Sequence, residues 1–387
     1  MLAIWLVELG LGTATAIGAV AWLGAIWGAL RFRVEANRAS RCGARPPVTL
    51  LKPVYGLEKN LYRNLRTACE QDYPEYQVVY SVQRGDDPAL PLLRELEREF
   101  GSARATVVVG DVKIGMNGKI NNLAGALPHA RYDILVISDS DVRLRPDYLQ
   151  AIVAPLRDAK VGGVSTFFKG TESGPWYEQM EMLTLNVDHF GMALFAGLIG
   201  IDDFCFGASF AFRRETLRLI GGLSGLANYL VEDNEMGQRI IKAGLRLVTV
   251  PYLIDTTIDL RSPGQWWQKM TYWDQNTRAA RPLTFVATIV LRVVPLSLLF
   301  AAVRGFDGVG LRVLTAATLL RILAGAVVLG VALRDYRGLH SLWLIPLKDI
   351  LSLFWFVRAF VKRTVVWRGT ELSLTRDGRF VPPPSES

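Results

Sequence analysis

Residues 2 to 30, LAIWLVELGLGTATAIGAVAWLGAIWGAL, carry a single charge, Glu8. At about 1.5 Å per residue a helix of this length exceeds the ~30 Å hydrocarbon thickness of a bilayer. Lipid offers no partners to backbone N–H and C=O groups, so such a run must close its own hydrogen bonds as a helix. No positive region precedes it and no small-residue cleavage site follows a short apolar stretch, so 1–30 reads as an uncleaved transmembrane anchor. Arg31, Arg33, Arg38, Arg41 and Arg45 follow against Glu35 alone. A basic flank of this kind stays in the cytosol, which makes 31–47 a cytosolic linker and the domain beyond it cytosolic.

Half of the net charge of +8 falls at this boundary, where Phe32 is the single aromatic among the arginines. Anionic lipid headgroups of the bilayer are therefore the expected partner, and nucleic acid is not. Cys42, Cys69 and Cys205 show neither paired nor metal-ligand spacing, which fits a reducing compartment and gives them no chemistry.

From residue 48 the pattern changes. Apolar β-rich runs at Val48–Leu51, Tyr76–Tyr80, Ala105–Val109 and Ile134–Ile137 alternate with helical periodicity at Glu58–Gln71 and Pro88–Phe100. Strands that are apolar on both faces predict a mostly parallel sheet covered by helices on both sides. Such sheets bind nucleotides at their carboxyl edge. A second half is expected to add strands at 162–168, 207–212 and 245–250, a long helix over 176–197 and another over 231–243. The helix from Pro263 carries Trp266, Trp267, Tyr272 and Trp273, an aromatic face suited to the headgroup level.

Three apolar segments follow, 283–303, 311–333 and 341–361, with Arg292, Arg321, Lys348 and Asp349 inside them. Ionisable groups at such positions are expected to pair, face protein or snorkel. The tail 362–387, with Lys362, Arg363 and Arg368, has a cytosolic signature. Three full crossings would leave it outside, so one segment is expected to be interfacial or re-entrant, and Pro295 points to the first.

The chemistry concentrates at Asp139-Ser140-Asp141, directly after the strand Ile134–Ile137. Alternate side chains of an extended backbone share a face, so both acids can address one hard cation on a diphosphate. The bland alternative is a solvated turn at a strand end. Asp233 lies in the first turn of the expected 231–243 helix, where a carboxylate is ordinary capping. It also lies where a general base would be required to deprotonate an attacking hydroxyl. Asp86 and Asp87 form either an Asp-Pro turn or a contact to base and ribose. Lys113 and Lys119 bracket Ile-Gly-Met-Asn-Gly, a loop that could wrap phosphates or be a surface turn. Lys52 ends the first strand, as a phosphate contact or a solvated end. His189 lacks neighbouring Cys or His and reads as a partly buried polar residue rather than a zinc ligand. G-x-S-x-G, P-loop and G-x-G-x-x-G motifs do not occur, which removes support for hydrolase and kinase readings.

Leu50-Leu-Lys-Pro-Val-Tyr-Gly56, Asp72-Tyr-Pro74, Val82-Gln-Arg-Gly-Asp-Asp-Pro88, Lys113-Ile-Gly-Met-Asn-Gly-Lys-Ile-Asn-Asn-Leu123, Asp139-Ser140 and Glu232-Asp233 occur in this order. Together, over about 48–280, they resemble the ceramide glucosyltransferase-like family of membrane glycosyltransferases, including bacterial hopanoid-associated relatives.

The resemblance implies an α/β GT-A (nucleotide-diphospho-sugar transferase) domain over 48–282, flanked by transmembrane helices in 1–30 and 283–361. It also implies a multi-pass protein, of the bacterial inner membrane in those relatives, with its catalytic domain cytosolic. The implied reaction is an inverting transfer of a glucose-type hexose from a UDP-sugar to a hydroxyl of a membrane lipid, with Mg2+ or Mn2+ as cofactor. Carried over by position, Asp87 with Asp86 meets the nucleoside, Asp139 with Asp141 holds the metal, and Asp233 is the catalytic base. The implied substrate-binding set is Lys52, Asp86, Asp87, Lys113, Lys119, Asn121, Glu232, Trp273, Gln275 and Arg278.

The family's closing arginine-tryptophan motif is partial here. Tyr272 stands at the arginine position before Trp273, which leaves Lys269 or Arg278 to balance the diphosphate. The family's histidine region also aligns poorly, with Asn186 near its place and His189 three residues on. Ceramide or a sphingolipid-like molecule is the expected acceptor. The alternatives are a hopanoid or other polyisoprenoid lipid with UDP-N-acetylglucosamine, a processive polysaccharide synthase, or a catalytically silent scaffold. The partial motif argues against the synthase and the intact acids against the scaffold.

Overall fold

The computed structural model describes residues 1–38, 45–362, 364–367, 370–375 and 378–381. Arg41, Cys42, Arg363 and Arg368 lie outside the described residues. The chain forms two compact units whose sequences alternate. One comprises Met1–Asn37, Glu172–Ile201 and Leu260–Glu371, and the other Arg38–Thr171, Asp202–Asp259 and Leu372–Ser387. Within the expected 48–282 block, therefore, Glu172–Ile201 and the residues from Leu260 group with the apolar helices.

The second unit is built on an eight-stranded sheet: β1 (Val48–Pro53), β2 (Tyr76–Val82), β3 (Ala105–Val109), β4 (Ile134–Ser138), β5 (Val142–Arg143), β6 (Val161–Thr171), β7 (Ser209–Arg213) and β8 (Arg246–Thr257). The order is β3-β2-β1-β4-β7-β6-β8-β5. β1 pairs in parallel with β2 and β4, and β6 with β8, whereas β7 runs antiparallel to both β4 and β6. Every residue of β1, β2 and β4 is buried, as their mostly apolar sequences lead one to expect.

Alternation sorts their side chains onto two cores. Leu50, Val78, Tyr80 and Val136 pack on Leu61, Leu65, Leu93 and Leu149. Leu51, Val79, Leu135 and Ile137 pack on Ile120, Leu123, Met236 and Ile240. Each fully buried side chain of this kind contributes about 1.5–3 kcal/mol. Parallel β1, β2 and β4 bring the segments after Pro53, Val82 and Ser138 to one edge, and antiparallel β7 brings the residues before Ser209 to the same edge.

In the other unit, Leu2–Arg38 is one helix, apolar enough over Leu2–Ala36 to cross a membrane, and Gly308–Leu333 is a second. Pro282–Leu291 and Val293–Val303 form a pair bent by 60°, a broken span or a re-entrant loop. The bend has a local cause. Pro295 has no N–H to donate to the carbonyl of Leu291, and that carbonyl accepts from Trp22 Nε1 at 2.9 Å instead. The last expected segment consists of a 3-10 turn, Gly338–Leu344, and a 17-residue helix, Ile345–Val361.

The ionisable residues of these apolar segments pair within the protein. Arg321, 1% exposed, meets Asp349 at 2.7 Å and Asp188 at 2.8 Å, while Lys348 meets Asp349 at 3.0 Å and also contacts Asp188. The Arg321 guanidinium lies 3.7 Å from the Trp22 ring centre, and Arg292 pairs with Asp274 at 3.1 Å. Trp266 departs from the expected lipid-facing role. It is 3% exposed, with its ring against Trp176, Trp267 and Trp355, because the helix turns that aromatic stripe toward Ile345–Val361.

Candidate active site

The loop between β3 and the helix Gly118–Ala126 is shaped by three asparagines. Asn121 Oδ1 accepts from the N–H groups of Ile114 and Gly115. Asn117 caps the helix, accepting from Lys119 N at 2.9 Å and Ile120 N at 3.1 Å. Asn228 Oδ1 accepts from Met116 N, and Asn117 N donates to the carbonyl of Ala227. All four backbone amides from Ile114 to Asn117 are therefore engaged within the protein. The expected phosphate-wrapping loop does not present them as a nest, and any anion contact there falls to the lysines. Lys113 is exposed; Lys119 points inward.

Lys119 Nζ sits 2.7 Å from Asp139 Oδ1 and 3.2 Å from Glu232 Oε1, and donates to the carbonyl of Gly207 at 3.1 Å. Burial opposes its charge, yet Asp139 and Glu232 hold the ammonium's pKa above the ordinary lysine range. Asn117 Nδ2 fixes the other oxygen of Glu232 at 3.1 Å. Asp233 follows on the same helix, Glu232–Lys242, against Gly207: a Cβ on that glycine would stand 2.3 Å from Asp233 Oδ2. Burial and then Glu232 push the Asp233 carboxyl up to about 7, while Lys119 and the Asn234 N–H pull it down. One ammonium thus links Asp139 of the D-x-D to Glu232 at the start of the helix that carries Asp233.

Lys52 is a correction. It is 0% exposed and donates to the carbonyls of Asp139 at 2.7 Å and Val142 at 3.1 Å, so it braces the D-x-D turn and is not a solvated strand end. Burial lowers its amine to about 8, against the opposing pull of Asp141, Asp139 and Glu58. The turn is held further by Asn64 Nδ2, which donates to the Asp141 carbonyl, and by Ser140 Oγ, which donates to Glu58.

Asp87 is engaged by the backbone of its own loop. Both its oxygens accept from Gly56 N at 3.1 Å, and Oδ1 from Ala89 N at 2.9 Å, which makes it a loop-closing cap. Asp86 is exposed and bound to Arg84. Asn121, expected at the substrate, folds its own loop.

Trp273, Gln275 and Arg278 lie in the other unit, on the helix Pro263–Ala280. Gln275 donates to the carbonyls of Lys362 and Thr364, and Arg278 to that of Phe360. Trp273 packs edge-on against His189, 5.3 Å between centroids, and its Nε1 has no hydrogen-bond partner among the described residues. Lys269 pairs with Glu181 at 2.5 Å.

No set of three His, Cys, Asp or Glu side chains able to hold a metal occurs among the described residues. Asp139 and Asp141 offer two carboxylates, a donor set that suits a divalent ion shared with substrate phosphates but not one caged by protein alone.

Sequence reasoning passed over Asn117, Asn64, Glu58 and Gly207. Asn117 carried a signal, an Asn-Gly before an apolar helix; the other three carried none.

The model of glycosyl transferase family 21 matches residues 13–380. The chain belongs to glycosyl transferase family 21. Membership makes it a glycosyltransferase, in agreement with the resemblance carried by its motifs. Ceramide glucosyltransferase 3 of Caenorhabditis elegans is 23% identical over 370 residues, covering 91% of this chain and 78% of that protein. The ceramide glucosyltransferase of Komagataella phaffii is 32% identical over 131 residues, which span 33% of this chain and 26% of the relative. Among solved structures, a mannosyltransferase of Pyrobaculum calidifontis in complex with GDP-Man and Mn2+ matches with a TM-score of 0.50 at 22% identity, covering 90% of this chain and 98% of that one. The likeness is one of fold, and the family 21 sheet is of the GT-A type.

Proposed function

We propose that this family 21 enzyme transfers a glucose-type hexose from a UDP-sugar to a hydroxyl of a membrane lipid of the ceramide class, with inversion. The observation that carries the reading is the Lys119 bridge, which joins Asp139 of the D-x-D to Glu232, the neighbour of Asp233. A single displacement needs a base and a charge-neutralised leaving group within one substrate's length. Ceramide glucosyltransferases among the relatives and the membrane-length helices support a lipid acceptor.

Asp233 takes the acceptor's hydroxyl proton on its carboxylate. Its raised pKa makes it a stronger base than a solvated aspartate, and Gly207 keeps the space beside Oδ2 clear. Lys119 brings positive charge to the diphosphate, and Glu232 with Asn117 fixes where that charge stands. Lys52, Asn64 and Glu58 hold the turn that aims Asp139 and Asp141. A divalent ion held jointly by Asp139, Asp141 and the donor would neutralise the departing UDP. Because the protein contributes only two acids, Mn2+ titrated into the protein alone should bind weakly and UDP should tighten it. UDP affinity unchanged by EDTA would remove the metal from the reading.

Purified protein in nanodiscs, given a panel of UDP-sugars with ceramide, diacylglycerol and hopanoid acceptors, tests the function by product mass. The expected product is ceramide plus one hexose, β-linked if the donor is α. Conversion of another acceptor class in preference to ceramide would overturn the acceptor, and chain extension would overturn the single-transfer reading.

A further inference from the structure

After the last apolar helix the chain returns to the unit that holds the acids. β10 (Thr370–Leu374), which follows β9 (Thr364–Trp367), pairs antiparallel with β11 (Phe380–Val381) through Ser373↔Val381 and Leu374↔Phe380. Thr375 and Arg379 close the turn by exchanging backbone and hydroxyl hydrogen bonds. Gly378, at φ +76°, adopts the left-handed conformation there that a side chain would resist.

The free edge of this hairpin lies along residues 228–230. Leu230 N donates to Gly378 O at 3.0 Å, Phe380 N donates to Asn228 O at 2.8 Å, and Tyr229 and Arg379 face each other as an antiparallel bridge. The Arg379 guanidinium stands 4.9 Å from the Tyr229 ring centre, and Phe380 is 4% exposed. The opposite side of the same short segment carries the reaction centre. Ala227 O takes the Asn117 N–H, Asn228 Oδ1 takes the Met116 N–H, and Tyr229 O takes the Asn117 amide at 2.9 Å. Two residues further on come Glu232 and Asp233.

Residues 227–230 thus have no helix or long strand of their own to fix them; they are held between the Asn117 loop and the C-terminal hairpin. We propose that the hairpin, through Gly378, Arg379 and Phe380, is a positioning element of the active centre: it sets the 227–230 segment from which Asn117, Glu232 and Asp233 take their places. The proposal rests on the role given above to Asp233. It follows that a part of the chain more than 130 residues beyond the acids in sequence controls turnover without touching substrate.

The test compares the full chain with a chain stopped after residue 377, and with Arg379→Ala and Arg379→Lys, in the same nanodiscs. Misplacing reacting groups by an ångström costs about a hundredfold, so the shortened chain should lose about ten- to a hundredfold in kcat while KM for the donor moves less than about threefold. A synthetic peptide of residues 370–387 added in trans should restore most of the loss. Arg379→Ala should show a smaller loss in kcat, largely recovered in Arg379→Lys. Hydrogen exchange gives a second readout that needs no substrate. The amides of Leu230, Glu232 and Asp233 should exchange faster in the shortened chain and in Arg379→Ala, with β1 and β4 unchanged.

Unchanged exchange at Leu230 in both variants would overturn the proposal, as would full kcat in the shortened chain. A shortened chain that does not fold leaves Arg379→Ala to decide by the same two measurements. Faster exchange in a protein that converts no lipid would instead overturn the assigned reaction and leave the positioning intact.

Discussion

Lys119 lies among three carboxylates, those of Asp139, Glu232 and Asp233, and one ammonium does not neutralise three charges. The excess falls on Asp233, the acid pushed up to about 7 by burial and by Glu232. A base must be deprotonated to act, so kcat should climb as pH rises through about 7 and level off above it. Glu232→Gln removes a raising influence and frees Lys119 to pull harder, so the acidic limb should move to lower pH in a kcat–pH profile. A shift to higher pH would contradict the electrostatic account. Asp233→Asn should leave UDP-sugar affinity within about twofold in calorimetry and lower kcat by about 10²–10⁴ in single-turnover assays, the range of general-base contributions. Gly207→Ala probes the same carboxylate from outside it. The added methyl, 2.3 Å from Oδ2, must turn the side chain away, and kcat should fall with no comparable loss of thermal stability.

Elements differ in how far residue patterns announced them. β1, β2 and β4 were legible because a strand buried on both faces is mostly apolar, as around Leu50, Val78 and Val136, with Lys52 and Gln77 the buried exceptions. β5 is two residues long and is set by its pairing with β8, so Val142 and Arg143 carried no period to read. The helix expected over 176–197 runs from Trp176 to Leu198 but passes through a π turn at Thr184–His189, which no local propensity marks. At the site, the acids were legible by spacing. The inward turns of Lys52 and Asp87 were not, since whether a charged side chain meets substrate or backbone depends on which carbonyls and amides the fold brings beneath it.

The quartet of Arg321, Lys348, Asp188 and Asp349 is an element-level device of the same kind, joining Gly308–Val327, Ile345–Val361 and the π turn. Arg321→Met should cost about 3–5 kcal/mol in detergent unfolding because Asp349 and Asp188 lose a buried partner, whereas Arg321→Met with Asp349→Leu should recover most of it. Equal losses in both would mean that the charges matter only by their volume.

For the molecule as a whole, the apolar unit gives an internal ruler for topology. Glu8 pairs with Arg304, and Phe32 packs against Phe190, so Phe306 belongs to the first end of the anchor helix. Asn186, near Phe190, meets Asp335, which assigns Tyr336 to the arginine-flanked end. We propose that the bent pair is one crossing and that Ile345–Val361 does not cross, an arrangement in which the basic flanks at both ends of the chain fall on the same side. A cysteine introduced at Phe306 should react with an impermeant maleimide on intact cells, and one at Tyr336 only after permeabilisation. The reverse pattern would invert the assigned orientation.

Alternation of the two units along the chain also governs how the protein is made. β7 and β8, which complete the sheet, leave the ribosome after Glu172–Ile201, and the hairpin leaves after every apolar helix has been presented to the insertion machinery. The sheet is therefore incomplete, with β4 exposed along one edge, until β7 has been made. Synthesis arrested at residue 201 should yield a nascent chain that depends on chaperones and is open to proteases.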